Sequence, residues 1–205
     1  MDEPIRAGVP VVIARRAPAA SPEPVMSGSQ GIWWLIATEG ALFAYLIFSY
    51  FYSMLYATGP WPPDGPPSLS LALPNTLVLL TSSLVLEVGA RAIRRDRRRM
   101  LLWCLLGTIV LGAAFVGVQL VEWSQKPFGV ASHLYGSFYF VITGFHMAHV
   151  VVGLVAIGVL AIWTMRGRVG MAQHEHVSIA ALYWHFVDVV WLAVFTTFYL
   201  SPLVR

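Results

Sequence analysis

Five long apolar stretches, separated by short polar or proline-rich segments, dominate the pattern of the chain. They cover residues 31–56, 69–92, 100–124, 133–164 and 177–201. Each meets or exceeds the roughly 20 residues that an α-helix needs to cross the hydrocarbon core of a bilayer. Residues 59–67 (GPWPPDGPP) end the first stretch, because proline cannot continue a helix. The pattern predicts an all-α integral membrane bundle of five transmembrane helices, within a domain over residues 30–205.

Composition also indicates lipid, rather than water, as the main solvent of the chain. Hydrophobic residues make up 58% of it, charged residues 11%, and the mean hydropathy is +0.70, whereas a soluble domain carries roughly 25% charged residues. A single cysteine, Cys104, excludes a disulfide framework and any cysteine-based metal cage. Residues 1–29 contain five prolines but no long apolar run. We interpret them as a flexible N-terminal tail rather than a secretory signal.

Basic residues are concentrated at one end of the predicted bundle. Of the 13 lysines and arginines, all but Lys126 and Arg205 fall in the tail or near the connections that follow the second and fourth stretches. By the positive-inside rule, the N-terminus is expected in the cytoplasm and the C-terminus outside. The densest group is interpreted as setting this topology and contacting anionic lipid headgroups, so nucleic acid is not an expected partner. It comprises Arg91, Arg94, Arg95, Arg97, Arg98 and Arg99.

Ionisable side chains within the apolar stretches need a reason, because a charge at the bilayer centre costs at least ~2.5–3.5 kcal/mol on insertion scales. With the polar Gln119, the candidates are Glu39, Glu87, Glu122, His146, His149, His185 and Asp188. A helix rise of roughly 1.5 Å per residue puts Glu39, His185 and Asp188 at similar depths on the inner side, which predicts a polar cluster there. The same estimate puts His146 and His149 near mid-membrane, on one helix face.

The local spacing of these residues suggests several roles. Glu87 precedes Arg91 by four residues, the favourable spacing for an ion pair along a helix. Glu122 is positioned to accept hydrogen bonds from Trp or Tyr near the outer interface. At a spacing of three, His146 and His149 point towards neighbouring helices, which favours interhelical hydrogen bonds. Ligation of a metal or haem together with His185, or a proton relay, remains an alternative.

Residues 139–153 (YFVITGFHMAHVVVG) and 183–199 (YWHFVDVVWLAVFTTFY) resemble two signature helices of subunit III of the haem-copper respiratory oxidases. The resemblance covers about residues 31–201 in order. It continues through Thr38-Glu39, residues 61–63 (WPP), residues 75–80 (NTLVLL), and Gln119, Glu122, Lys126, Pro127 and Phe128.

The resemblance implies a non-catalytic accessory subunit of a multi-subunit, proton-translocating oxidoreductase of aerobic respiration, in a bacterial plasma membrane. Such a chain carries no catalytic residue, metal or cofactor of its own. It packs directly against subunit I in a complex with subunit II and other subunits, and the haem and copper belong to these partners. It steadies the site of oxygen reduction, supports proton uptake and binds phospholipid in a cleft between its helices.

The same resemblance assigns roles to particular residues. Glu39 matches the acidic residue of proton uptake and the lipid cleft. A structural polar network is expected to comprise Glu122, His146, His149, His185 and Asp188. Glu87 stays outside the transferred set, because an uncharged residue is expected there. Longer family members have seven helices, and without the first two the cleft is shallower or is completed by another chain.

Several alternatives remain open. Glu39 and the WPP and NT motifs favour the cytochrome c oxidase branch, but five-helix forms also occur among quinol oxidases and in a relative associated with nitric oxide reductase. Two further hypotheses come from other classes. One is a stand-alone membrane haem protein that uses His146, His149 and His185. The other is a small proton-coupled transporter that uses Glu39 and Asp188.

Overall fold

The computed structural model describes residues 28–65, 67–170 and 173–203. Within these ranges the chain forms helices and no strand, so the prediction of an all-α bundle is confirmed. Five helices are long and apolar enough to cross a membrane. They are α1 (Gly28–Leu55), α2 (Leu69–Ile93), α3 (Arg98–Ser124), α4 (Leu134–Met165) and α5 (His174–Phe195), the last continuing as a π-helical turn (Thr196–Leu200) and a 3-10 turn (Ser201–Leu203).

The observed helices lie close to the predicted apolar stretches. Helices α1 and α5 each begin three residues before the predicted start, and α5 does so at His174. Its first turn is polar, and it therefore falls outside a stretch defined by hydropathy alone. The predicted flexible tail lies outside the described residues, except for its last two positions, which open α1.

The connections between helices meet at two opposite ends of the bundle. At one end, the α2–α3 and α4–α5 connections are neighbours. Arg98, at the start of α3, reaches Gly170 between α4 and α5, where an added Cβ atom would lie 2.8 Å from Nη2 of Arg98. At the other end, His133 Nε2 is 3.3 Å from Asp64 Oδ2, which joins the α3–α4 and α1–α2 connections. The arginine-rich connection therefore marks one end of an up-and-down bundle. Its assignment to the cytoplasm stays a prediction from the distribution of charge.

Two tryptophans of α5 hold the core together. The indole N–H of Trp184 donates to Ser82 Oγ at 2.9 Å, and that of Trp191 donates to Thr76 Oγ1 at 2.9 Å. Both indoles are fully buried and bond α5 to α2. Buried tryptophan needs such a partner for its N–H group, while its ring supplies a large apolar surface. Four helices, α2 to α5, therefore form one packed unit.

Helix α1 is only partly packed against this unit. Only 6% of its most apolar 18-residue window is buried, against 33–44% for the other four helices. At the end away from the arginine-rich connection, α1 is anchored by Tyr50, whose ring lies 5.6 Å from that of Trp61 and 4.9 Å from that of Phe198. Towards the arginine end, Trp33 and Trp34 are exposed. The helix thus leaves a cleft between itself and α4 and α5.

Candidate functional site

A carboxylate–imidazole pair joins α1 to α4 within the membrane-spanning segments. Glu39 Oε2 lies 3.2 Å from His149 Nε2. The other ring nitrogen, Nδ1, lies 2.7 Å from the carbonyl oxygen of Phe145. A carbonyl only accepts, so Nδ1 carries a hydrogen, and the contact with Glu39 then needs one proton, either on the imidazole Nε2 or on the carboxyl group. The pair therefore bonds α1 to α4 through their side chains.

The pair lies at one end of the cleft beside α1. Two adjoining cavities, of about 420 and 220 Å³, share Leu35, Val152 and Tyr183 as lining residues. The smaller one reaches Glu39 and His149, and the larger one extends past Trp163 and His176 towards the arginine end. Apart from the pair, Tyr183 and His176, the walls are apolar side chains and one glycine. The cleft is thus an elongated apolar groove with a protonatable pair at its inner end.

Tyr183 connects this cleft to the packed core. Its hydroxyl donates to the carbonyl oxygen of His149 at 3.2 Å, which bonds α5 to the turn of α4 that carries the pair. The adjacent Trp184 is fully buried and lies, like Tyr183, against Gly153 of α4. Tyr183 therefore links α5 directly to the backbone of a member of the Glu39–His149 pair.

The predicted cluster of Glu39, His185 and Asp188 is wrong. Glu39 faces His149 of α4, and Asp188 is buried beside Ser83 of α2. His185 lies 3.7 Å from Glu87 Oε2, also on α2. The reason is that the side chains of α5 point in different directions around the helix axis. Phe186 lies on the face of α5 that packs against α1, whereas Asp188 lies on the face that packs against α2. Equal depth in the membrane does not determine which neighbour a side chain contacts.

The predicted ion pair on α2 is confirmed. Arg91 Nε donates to Glu87 Oε1 at 2.8 Å, and both side chains are substantially exposed at the arginine end. Arg91 ends α2, Arg98 and Arg99 open α3, and Arg94, Arg95 and Arg97 lie in or beside the connection between them; all six are exposed. This exposed basic surface is consistent with contact to headgroups.

A second polar centre joins α3, α4 and α5 at the opposite end. Oε1 of Glu122 accepts from Tyr139 at 3.2 Å and from Tyr199 at 2.5 Å, and it lies 2.9 Å from Lys126 Nζ. The prediction that Glu122 accepts hydrogen bonds from Trp or Tyr is thus confirmed, with two tyrosines as the donors. None of these three partners, Lys126, Tyr139 and Tyr199, was a predicted member of the polar network. The four-residue spacing from Glu122 to Lys126 was the available signal for one of them.

The two histidines of α4 both point towards neighbouring helices, as their spacing predicted, but each faces different ones. His149 makes the predicted interhelical hydrogen bond, to Glu39 of α1. For His146 that prediction is wrong, because neither ring nitrogen has a hydrogen-bond partner among the described residues. Its ring packs 4.9 Å from that of Trp191 and 5.9 Å from that of Phe115. With His185 directed at α2, the three histidines of the haem hypothesis face different helices.

Together these features define a class: a multi-pass membrane bundle whose polar side chains bond its helices to one another. Residues 20–202 match the family model of cytochrome c oxidase subunit III. The chain therefore belongs to the cytochrome c oxidase subunit III family, and the resemblance described above is confirmed.

Three relatives named cytochrome c oxidase subunit 3 illustrate the similarity. The protein of Synechocystis is 37% identical over 177 residues, which cover 83% of this chain and 74% of the relative. The wheat protein is 35% identical over 176 residues, 82% of this chain and 66% of the relative. The human protein is 34% identical over 184 residues, 86% of this chain and 70% of the relative. The chain thus spans slightly less than two thirds of the wheat protein.

Proposed function

We propose that the chain is the non-catalytic subunit III of a bacterial haem-copper oxidase, of the cytochrome c oxidase type, in the plasma membrane. It packs directly against subunit I and assembles with subunit II and the other oxidase subunits. These partners hold the haem and copper and reduce oxygen, with protons translocated. Membership of the subunit III family and the five membrane-spanning helices support this proposal.

In this proposal the arginine-rich end faces the cytoplasm. Glu39 lies nine residues after Gln30, where the first membrane span begins, and therefore roughly 13 Å inside that end. The observation that carries the functional proposal is the Glu39–His149 pair at the inner end of an apolar cleft. The groove suits an acyl chain of a phospholipid, whose headgroup would lie near the exposed arginines. With the arginine-rich end in the cytoplasm, the Glu39–His149 pair is the proposed proton-exchanging group on the uptake side.

Glu39→Gln is expected to slow proton uptake severalfold or to hasten inactivation during turnover, with the haem content unchanged. Glutamine retains the size and the hydrogen-bonding capacity of the side chain but cannot share a proton with His149. The oxidase is purified through a tag on this chain, so haem and oxygen consumption in the eluate also test the proposed partnership. Uptake is followed with a pH-indicating dye after rapid mixing with oxygen, and inactivation from the time course of oxygen consumption.

Glu87→Gln is the matched control for Glu39→Gln. It removes another partly exposed carboxylate that lies beside a histidine, at 3.7 Å, but outside the cleft. Wild-type kinetics are expected for this variant. Wild-type uptake and inactivation in Glu39→Gln would contradict the proposed role of Glu39, and an eluate without haem would contradict the assignment to an oxidase.

Val152→Trp is expected to reduce the phospholipid that stays bound to the purified complex. Val152 lines both cavities of the cleft and is 59% exposed, so an indole there fills space that an acyl chain would occupy. Phospholipid per haem is measured by mass spectrometry after detergent washing. Val155→Trp is the control, because Val155 is similarly exposed on α4 but does not line these cavities. An unchanged phospholipid ratio in Val152→Trp would contradict lipid binding in the cleft.

A further inference from the structure

Four side chains of α3 and α4 have buried polar atoms without a partner in the described part of the chain, and one of them, Trp123, is only partly buried. In the three that are fully buried, the unpartnered atoms are both amide atoms of Gln119, Oε2 of Glu122 and both ring nitrogens of His146. Gln119 and His146 are 1% exposed, and Glu122 is 5% exposed. The great majority of buried polar atoms in folded proteins are hydrogen-bonded to protein or to ordered water. Each atom left unbonded carries a penalty comparable to a lost hydrogen bond.

These side chains lie in succession along the interface of α3 and α4. Gln119 precedes Glu122 by one turn, on the same face of α3, and Phe115 lies one turn further. On the antiparallel α4, Tyr139 bonds Glu122, and His146 two turns later contacts the Phe115 ring. Gln119 is therefore at a depth between Glu122 and His146. The rise of a helix gives a length of roughly 10 Å for this row.

The chemistry of the row and its burial restrict what can bond it. All three side chains are buried inside this chain alone, so neither a partner subunit nor a lipid reaches them. The unpartnered atoms include both donors and acceptors, which an apolar ligand cannot satisfy. A buried water molecule needs two to four polar partners, and the amide, carboxylate and imidazole groups supply these.

A polar cavity provides access from the outer end. It has a volume of about 290 Å³, and Glu122, Gln125, Lys126 and Ser68 are among its lining residues. The cavity reaches the carboxylate whose second oxygen, Oε2, begins the unpartnered row. We propose that Gln119, together with Glu122 and His146, binds ordered water molecules between α3 and α4. This site does not depend on the proposed function of the Glu39 cleft.

The direct test is a density map of the complete oxidase complex at a resolution that shows ordered water. Density within hydrogen-bonding distance of the Gln119 amide, continuing towards Glu122 Oε2, is the expected result. Gln119→Met is close in size but removes both polar atoms, so this density is expected to disappear. A wild-type map with no density at the Gln119 amide would overturn the proposal. The wild-type map alone is decisive, so the test does not depend on whether the variant assembles.

The melting temperature of Gln119→Met gives a second, independent test, because it changes in opposite directions for a hydrated and a dry interior. If water bonds Gln119, the methionine leaves Glu122 and His146 with fewer bonds, and the melting temperature is expected to fall by about 3–8 °C. If the interior is dry, the same change removes two unpaired polar atoms and raises the melting temperature. Leu105→Met is the control on the same helix, fully buried and apolar, with only a small expected change. A rise in Gln119→Met relative to this control would overturn the proposal.

Discussion

Glu122→Leu is expected to remove about 3–5 kcal/mol from the free energy of unfolding, the penalty for a buried charge that has lost its partner. Lys126 is only 13% exposed and lies 2.9 Å from Glu122 Oε1. Without the carboxylate, its ammonium group stays in a poorly solvated position. The hydroxyls of Tyr139 and Tyr199 also lose their acceptor, although they remain 3.2 Å from each other. The loss is measured by reversible unfolding in mixed micelles and by retention of the subunit in the washed complex.

The double variant Glu122→Leu/Lys126→Leu separates the charge effect from simple loss of packing. Removing both members of a buried ion pair is much less costly than removing one, because no unpaired charge remains. The double variant is therefore expected to regain a large part of the lost stability. If the single and double variants are equally unstable, the ion pair is not the source of the effect. Lys126→Leu alone should be destabilising too, because it leaves the buried carboxylate without a cation.

Gly153→Ala is expected to destabilise the bundle by about 1–3 kcal/mol, although alanine normally favours a helix. A Cβ atom there would lie 2.8 Å from both Cε3 and Cζ3 of Trp184 and 3.2 Å from Cε1 of Tyr183. Trp184 has little freedom to move. Its N–H is bonded to Ser82. The opposite edge of its ring already packs against Gly112 of α3, where an added Cβ atom would lie 3.0 Å from Cη2. Helix α4 must therefore move away from α5, which reversible unfolding in mixed micelles will detect.

Gly158→Ala is the matched control for this substitution. Gly158 lies on the same helix, and a Cβ atom there would meet nothing within 4 Å. Alanine at this position is expected to stabilise the chain by up to about 1 kcal/mol through its helix propensity. Equal effects of Gly153→Ala and Gly158→Ala would contradict the packing of Trp184 described here. The Glu39 pair should also be affected only in Gly153→Ala, because Tyr183 bonds the carbonyl of His149.

Local features of the sequence predicted the local contacts well. Hydropathy and length located the five helices, because a membrane span must satisfy its own backbone hydrogen bonds and be apolar over roughly 20 residues. The Glu87–Arg91 pair followed from a spacing of four residues on one helix. The spacing of His146 and His149 correctly indicated that both rings face neighbouring helices. In each case the relevant geometry belongs to a single helix.

Contacts between helices were harder to predict from the sequence. Glu39 and His149 are 110 residues apart, and no periodicity within α1 or α4 indicates that they meet. Depth suggested His185 and Asp188 as partners of Glu39, but the rotation of α5 directs Asp188 towards Ser83 and His185 towards Glu87. The similarity to a family assigned roles to particular residues, but it did not indicate which of them touch.

The sequence by itself determined that the chain is a five-helix membrane bundle, because hydrophobic length and proline-rich breaks act within a single segment. Only the tertiary structure decided which polar side chains contact one another. Glu39 pairs with His149, and Glu122 with Lys126 and two tyrosines, whereas Gln119 and His146 belong to the unpartnered row. The physical reason is that the partners of a side chain depend on the rotation of each helix about its axis. Close packing sets that rotation, as where Trp184 lies between Gly112 and Gly153.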